Sequence, residues 1–288
     1  MNALHVLLPP RLESTPVVAV DFGVSNTDIV WRAGAVTRHE SIPSEGQPDE
    51  TRVRRALAAV DLDPQYVAWI AVTGGNRALV PSIIDGCTLH RVEEVQGIGR
   101  GGLAMAQRDA AVVVSAGSGT AVIAATRDRA RHVTGTGVGG GTLLGLSRLL
   151  IGTVDPTEID ALSRAGTDTT HNLMLHEVLG EAIGSLPVDT TAVNFGRVAR
   201  HAVSASREDT AAALVNMVGQ VIAVIAINAT RAEQMTDAVI VGHLADMPSV
   251  RHVFELVAQF YGASLLMPEH GGAATALGAL LVVQDRLA

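Results

Sequence analysis

The chain has no lysine: all 21 of its basic residues are arginines. A P-loop kinase needs a lysine on the β/γ-phosphates and a Schiff-base enzyme needs one as nucleophile, so neither class fits. There is one cysteine, Cys87, which excludes an internal disulfide framework and a cysteine-cluster metal site. His132, His171, His176, His201 and His243 show no H-E-x-x-H or other ligand spacing, which argues against zinc. Long apolar runs are missing too. The most apolar stretch, Val218–Ile227, is broken by Gly219 and Gln220 and flanked by Asn216 and Asn228, too short and too polar at its edges to span a bilayer. The run Val6–Leu8 stops at Pro9 and Pro10 and lacks a basic start, so residues 1–14 read as a tail rather than a signal peptide. The net charge of −8 argues against a nucleic-acid binder or a basic membrane-surface protein. A cytoplasmic setting is the simplest expectation.

What is present is ample for a folded core. With 288 residues, 48% of them hydrophobic, the chain can form one large or two medium domains. Its organising stretch is Val112–Ala125: VVV, then SAGSGT, then AVIAA. This reads as strand, tight turn, strand. Gly117 and Gly119 can take positive φ and let another molecule approach the backbone, while Ser115, Ser118 and Thr120 add hydroxyls. Such a concave turn suits an anion, above all a phosphate. A counterpart lies upstream, where Val17–Val20 leads into DFGVSNT (Asp21–Thr27) and then Ile29–Trp31. There Asp21 stands where a Mg²⁺ shell would use a carboxylate. Two such hairpins suggest two lobes closing on one nucleotide; two ordinary glycine hairpins would look the same.

Further elements follow by pattern. Ala35–Ser41 reads as a third strand, Thr51–Val60 as a helix, and Val67–Val72 as a buried strand ending in TGGN (Thr73–Asn76). Thr88–Val92 is a short strand running into Glu93 and Glu94, and Gly97–Gln107 a helix weakened by four glycines. After the second hairpin come a strand at Arg131–Thr134, the glycine loop Gly135–Gly141 and a helix at Thr142–Ile151. Asp155–Arg164, His171–Leu179, Thr191–Val203 and Glu208–Gln234 read as helices. Ala238–Gly242 and Ser264–Met267 are strands, Val250–Tyr261 and Ala273–Leu287 helices. Both halves open with three strands before the first helix and then alternate, which argues a duplicated α/β lobe, 15–110 and 111–288.

Three features carry candidate chemistry. Gly135, Gly137 and Gly140 satisfy G-x-G-x-x-G, the NAD fingerprint, but Asp155, Glu158 and Asp160 fall on a helix where an acid ending a second strand is needed. Backbone amides at a helix N-terminus facing a nucleotide phosphate explain the loop better, with NAD-linked oxidoreduction as the rival. Glu93 and Glu94 are either solvated charges or the carboxylate that takes a hydroxyl proton. Asn216–Arg231, rich in alanine, is either a core helix or a subunit contact where small side chains let helices approach.

Together these pieces resemble the type II pantothenate kinases, which share the two-lobed fold of acetate and sugar kinases, Hsp70 and actin. The resemblance runs from Val17 to the end. It rests on Val133–Leu146 (VTGTGVGGGTLLGL), Thr73–Asn76, Ala116–Thr120 (AGSGT), Ala192–Gly196 (AVNFG) and Ala276–Leu280 (ALGAL) in combination. It implies two ribonuclease-H-like lobes around an interlobe nucleotide cleft. It further implies phosphorylation of pantothenate, or a close pantetheine-like alcohol, by ATP with Mg²⁺, the first step of coenzyme A synthesis. By position, Asp21, Gly23, Ser25 and Asn26 would form the first phosphate turn, with Asp21 in the metal shell. Gly117, Ser118, Gly119 and Thr120 would form the second. Gly137, Gly139, Gly140 and Gly141 would line the cleft, with Gly242 and His243 on the adenosine side. Glu93 would be the catalytic base, Arg131 or His132 would stabilise charge, and the long helix would make a homodimer. The chain departs from the family in Val24 for a glycine, Ser25 for threonine, Asp28 for a lysine, and His132 for an arginine. Such departures also fit a relative that binds nucleotide or acyl-pantetheine ligands without turnover.

Overall fold

In the computed structural model, residues 2–4, 15–179, 187 and 189–288 are described. The first lobe contains β1 (Asn2–Ala3), β2 (Val17–Phe22), β3 (Asn26–Ala33), β4 (Val36–Pro43), α1 (Glu50–Ala58), β5 (Ile70–Gly74), β6 (Ile83–Ile84), β7 (Cys87–Arg91) and α2 (Glu94–Ala106). Its sheet runs β1-β4-β3-β2-β5-β7-β6. The second lobe contains β8 (Ala110–Ala116), β9 (Thr120–Thr126), β10 (Ala130–Thr136), α3 (Gly140–Ile151), α4 (Pro156–Ala165), β11 (Leu173–Met174) and α5 (Leu175–Val178). It continues with β12 (Thr191–Val193), α6 (Gly196–Arg200), α7 (Arg207–Ala232), β13 (Asp237–Val241), α8 (Pro248–Tyr261), β14 (Ser264–Leu266) and α9 (Ala274–Leu287). Its main sheet runs β10-β9-β8-β13-β14.

Without β1 and β6, the two sheets have one plan. Three antiparallel neighbours, β4-β3-β2 or β10-β9-β8, are followed by two strands parallel to the last of them, β5-β7 or β13-β14. The central strands are covered on both faces, so they read as unbroken apolar runs. Val17–Val20, Val112–Val114 and Ala238–Val241 are all fully buried.

The helices do not respect the chain boundary near residue 110. Helix α2 follows the first sheet but packs Ile98 and Leu103 among Val113, Ile123 and Val239 of the second. Helix α9 closes the second lobe in sequence but buries Ala276, Leu277, Leu280 and Val283 against Val17, Ala19, Val30 and Ala71 of the first. Each leucine so buried contributes roughly 1.5–3 kcal/mol relative to exposure. Where α2 and α9 cross, a Cβ added to Gly101 would lie 1.8 Å from the Ala274 carbonyl oxygen, and one added to Gly278 would lie 1.8 Å from that of Gly97. The glycines that weaken the helix expectation are what let the two helices touch.

Three local expectations change. Asn2 and Ala3 pair with His39 and Arg38, and Leu4 is buried in the first lobe, so this part of residues 1–14 is not a free tail; residues 1 and 5–14 lie outside the described residues. The helices expected at His171–Leu179 and Thr191–Val203 are instead the β11–β12 pair and two short helices. Asp168 receives hydrogen bonds from Asn172, Thr191 and Asn216, and the Asn172 carbonyl oxygen Oδ1 accepts from the Phe195 N–H, side-chain bonds that compete with the helical ladder. The third is α7: at 26 residues it is long and apolar enough by composition to cross a bilayer, but it packs on α3, α4 and α8 as the core helix of its lobe.

Candidate active site

The β2–β3 and β8–β9 turns meet across a cavity of about 430 Å³ between the lobes. Their tips touch: Ser25 Oγ lies 2.9 Å from Ser118 Oγ. The wall includes Asp21, Gly23, Ser25 and Asn26 from the first turn and Gly117, Ser118, Gly119 and Thr120 from the second. Gly140, Gly141, Gly242 and His243 also line it. Strand pairing explains this convergence. The two hairpins close with Phe22 opposite Thr27 and Ala116 opposite Thr120, and both turns emerge at the same end of their sheets.

Neither turn uses the left-handed backbone expected of its glycines; Gly23, Gly117 and Gly119 have ordinary φ. Their smallness serves close approach. A Cβ on Gly23 would be 2.7 Å from the Asn26 carbonyl oxygen, and one on Gly139 2.8 Å from Gly119 Cα. Among the described residues, no turn or loop carbonyl takes the N–H of Gly23, Val24, Ser25, Gly117, Ser118 or Gly119. These amides therefore suit an anion.

The amides opening α3 are already engaged. Gly140 N donates to Gly117 O at 2.8 Å and Gly141 N to Ser118 O at 2.9 Å. The helix end braces the second turn, and Thr120 Oγ1 donating to Val138 O ties the same loop down. Gly137 and Gly139 are set back from the cavity wall. The NAD reading fails on topology: Gly135 lies inside β10, an edge strand antiparallel to β9, not in a parallel βαβ unit.

Acidic groups gather at the first turn. Asp21 sits opposite Asp28 across the β2–β3 pair, and Glu94, at the first position of α2, lines the same cavity. Burial, then the charges of Asp28 and Glu94, push the Asp21 carboxyl well above its usual range, with His243 opposing. Its Oδ1 is buried without a hydrogen-bond partner, in space kept open by Gly74, whose φ is +92° and whose Cβ would lie 2.7 Å from that oxygen. A buried carboxyl oxygen left without a partner beside other acids fits a divalent cation. No group of three or more His, Cys, Asp or Glu ligands exists among the described residues, so the donor set matches Mg²⁺ held by one or two carboxylates plus phosphate and water, not an all-protein cage.

The three residues expected to act in catalysis are placed elsewhere. Glu93 precedes α2, faces outward and pairs with Arg77, so the cavity carboxylate is its neighbour Glu94. Arg131 is bound to Glu233 at 2.5 Å beside the C-terminus of α7. On β10, Arg131 and His132 pair with Ala124 and Ile123, and neither lines the cavity. Sequence reasoning misses Glu94 by one helix boundary. It misses Met247 and Thr275 altogether, and no pattern in the chain marks them, while Ser115 and Thr136 fall in the expected second turn and glycine loop.

Asp28 has a partner in the other lobe. His243 Nε2 lies 2.9 Å from Asp28 Oδ1 and 3.0 Å from Oδ2. Burial pulls the His243 pKa down, but the hydrogen bond to Asp28 and the charges of Asp28, Asp246 and Asp21 outweigh it, and the net shift is upward. The negative charge at the position of the family's lysine is therefore matched by an imidazole from across the cleft.

With this geometry in view, the chain can be set beside known proteins. It is similar to a type II pantothenate kinase of Oceanobacillus iheyensis, 29% identical over 171 residues, or 59% of this chain and 63% of that protein. It thus spans less than two thirds of that relative's length. A type II pantothenate kinase of Staphylococcus haemolyticus is 27% identical over 250 residues, covering 82% of this chain and 92% of its own. Among solved structures, the activator of the 2-hydroxyisocaproyl-CoA dehydratase from Clostridium difficile, with bound ADPNP, superposes with a TM-score of 0.64 at 16% identity, covering 94% of this chain and 95% of that one. That likeness shows the fold, the actin-like ATPase fold with two duplicated lobes. The Fumble family model matches residues 110–282, more than half of the chain and the whole second sheet with its helices. The chain belongs to the Fumble family.

Proposed function

We propose that the protein is an ATP-dependent phosphotransferase acting on the primary hydroxyl of pantothenate or a close pantetheine-like alcohol, at the entry to coenzyme A synthesis. One observation carries this reading most: the buried, unpartnered Asp21 carboxylate and the Glu94 carboxylate line one cavity with two turns whose amides no turn or loop carbonyl takes.

The roles follow from the geometry. Amides of Gly23–Ser25 and Gly117–Gly119 would hold the phosphates from opposite lobes. Asp21 would hold Mg²⁺, which when bound neutralises phosphate charge and compensates the carboxylates around it. Glu94 would take the proton of the attacking hydroxyl in place of Glu93. Contact of the lobes at Ser25 and Ser118 would exclude water that otherwise hydrolyses ATP. We also place the protein in the cytoplasm, the simplest setting for its composition, and as a homodimer, which the resemblance to type II pantothenate kinases implies.

Formation of phosphopantothenate from ATP and pantothenate with Mg²⁺, followed by mass spectrometry, tests the activity. Turnover abolished in Glu94→Gln and retained in Glu93→Gln is the expected result. A second reading has an observation behind it: among the described residues no arginine lines the cavity, and Arg131 is held by Glu233. Calorimetry showing nucleotide binding with no turnover on any pantothenate-like alcohol would favour a binding protein over a kinase.

A further inference from the structure

Among the described residues the cavity wall carries three carboxylates, Asp21, Asp28 and Glu94, and one basic side chain, His243. A triphosphate approaching this wall meets charge of its own sign. Asp28 is buried, 5% exposed, so water screens it little. A buried carboxylate that loses its partner keeps its full desolvation cost and its field.

The imidazole that meets Asp28 is held in a frame shaped for it. Gly242 takes φ +97°, and a Cβ there would strike the Ala116 carbonyl oxygen at 2.5 Å. A Cβ on Gly272 would lie 2.5 Å from His243 Cε1. The segment bearing Gly272 is pinned, because Asp246 accepts the N–H groups of Gly271 and Gly272 at 2.8 and 2.9 Å. The ring lies against Gly272, and its Nε2 reaches both oxygens of a carboxylate in the other lobe. Asp28, Asp246 and Asp21 are the carboxylates whose charges act on it.

We propose that Asp28 and His243 form a positioning pair across the lobes: the imidazole cancels the Asp28 charge inside the phosphate cleft and holds the lobes in register. Nucleotide affinity then requires that the Asp28 carboxylate not stand without His243. This rests on the nucleotide-binding part of the proposed function and goes beyond it, since neither residue is asked to touch the reacting atoms. At the cleft, Ser25 and Ser118 make an uncharged crossing and His243 with Asp28 a charged one, so loss of the charged pair leaves the cleft joined at its tips.

The test is calorimetric titration of full-length protein with magnesium–ATP, comparing wild type, His243→Gln, Asp28→Asn and the double variant. His243→Gln exposes the phosphates to an unpaired carboxylate, and Kd is expected to rise at least about tenfold. Asp28→Asn removes the charge, and Kd stays within about threefold of wild type. The double variant regains the Asp28→Asn value, so removing a second residue repairs the first loss. A merely structural role gives the opposite pattern, with the double variant as weak as His243→Gln or weaker. That pattern, or a His243→Gln protein that binds like wild type, overturns the proposal. The rescued double variant also serves as the control for folding. A wild-type protein that binds magnesium–ATP without phosphorylating pantothenate defeats the proposed activity and leaves this pair standing; one that binds no nucleotide defeats both.

Discussion

The two hairpins share a strand plan and differ in charge, the first acidic and the second uncharged. Each sits at the same place in a sheet of the same strand order, and their tips meet at Ser25 and Ser118. The first carries Asp21 on the strand entering the turn and Asp28 on the strand leaving it. The second has Ser115 and Ala121 at the matching register and no charged side chain. The shared strand plan supplies two such turns, and the charged side chains stand in only one of them. The second lobe contributes shape instead, with its turn braced by the first amides of α3.

The comparison is open to attack at several points. Asp21→Asn should cost the most, on the order of 10³-fold in kcat, because the metal's several kcal/mol go with it. Ser118→Ala, in the other turn, should stay within about tenfold, since it removes one neutral hydrogen bond. Steady-state kinetics with saturating Mg²⁺ reads both, and equal losses would end the division of labour. Glu94→Gln should lower kcat by about 10²-fold or more with little change in nucleotide affinity, while Glu93→Gln stays near wild type.

Next in size come the crossed helices, where the lobes should behave alike. Gly101→Ala and Gly278→Ala each place a Cβ 1.8 Å from a backbone oxygen of the facing helix. Each is expected to destabilise by about 1–3 kcal/mol or more in denaturant unfolding. A large loss at one site and none at the other would show that the crossing is not symmetrical.

The smallest effect concerns His39, which stacks on His270 of the other lobe at 4.8 Å between ring centroids. Burial, then the neighbouring His270, holds its pKa below the ordinary value of 6.5. The unfolded chain therefore binds a proton in a range where the folded chain does not. The His39 contribution to stability is complete above pH 6.5 and is lost as pH falls from there toward the folded value. His39→Gln should flatten the acid side of the melting-temperature profile; an unchanged slope would remove His39 from it.

Much of the architecture is legible in the chain because periodicity and composition are local. Apolar runs broken by small-residue turns mark β2–β3 and β8–β9, and the repeated opening of three strands marks the duplicated lobe. The misses have local causes too. Asn172, Thr191 and Asn216 around Asp168 draw the backbone out of the helices expected at 171–179 and 191–203. The glycines of α2 mask its first turn, so the expected start falls three residues late and attention goes to Glu93 instead of Glu94. The α3 loop is legible as glycine-rich but not as already hydrogen-bonded, since its amide partners lie some twenty residues upstream.

The residues alone determined the class of fold, the two phosphate-sized turns and the absence of lysine chemistry, because these depend on residue type and on spacing along a strand. Only the tertiary structure decided which acids share a cavity. The direction of a side chain at a helix end, the exchange of α2 and α9 between lobes, and the meeting of Asp28 with His243 across 215 positions all depend on how two sheets pack. Packing of that kind is set by close contacts between distant segments, and no window along the chain contains both sides of such a contact.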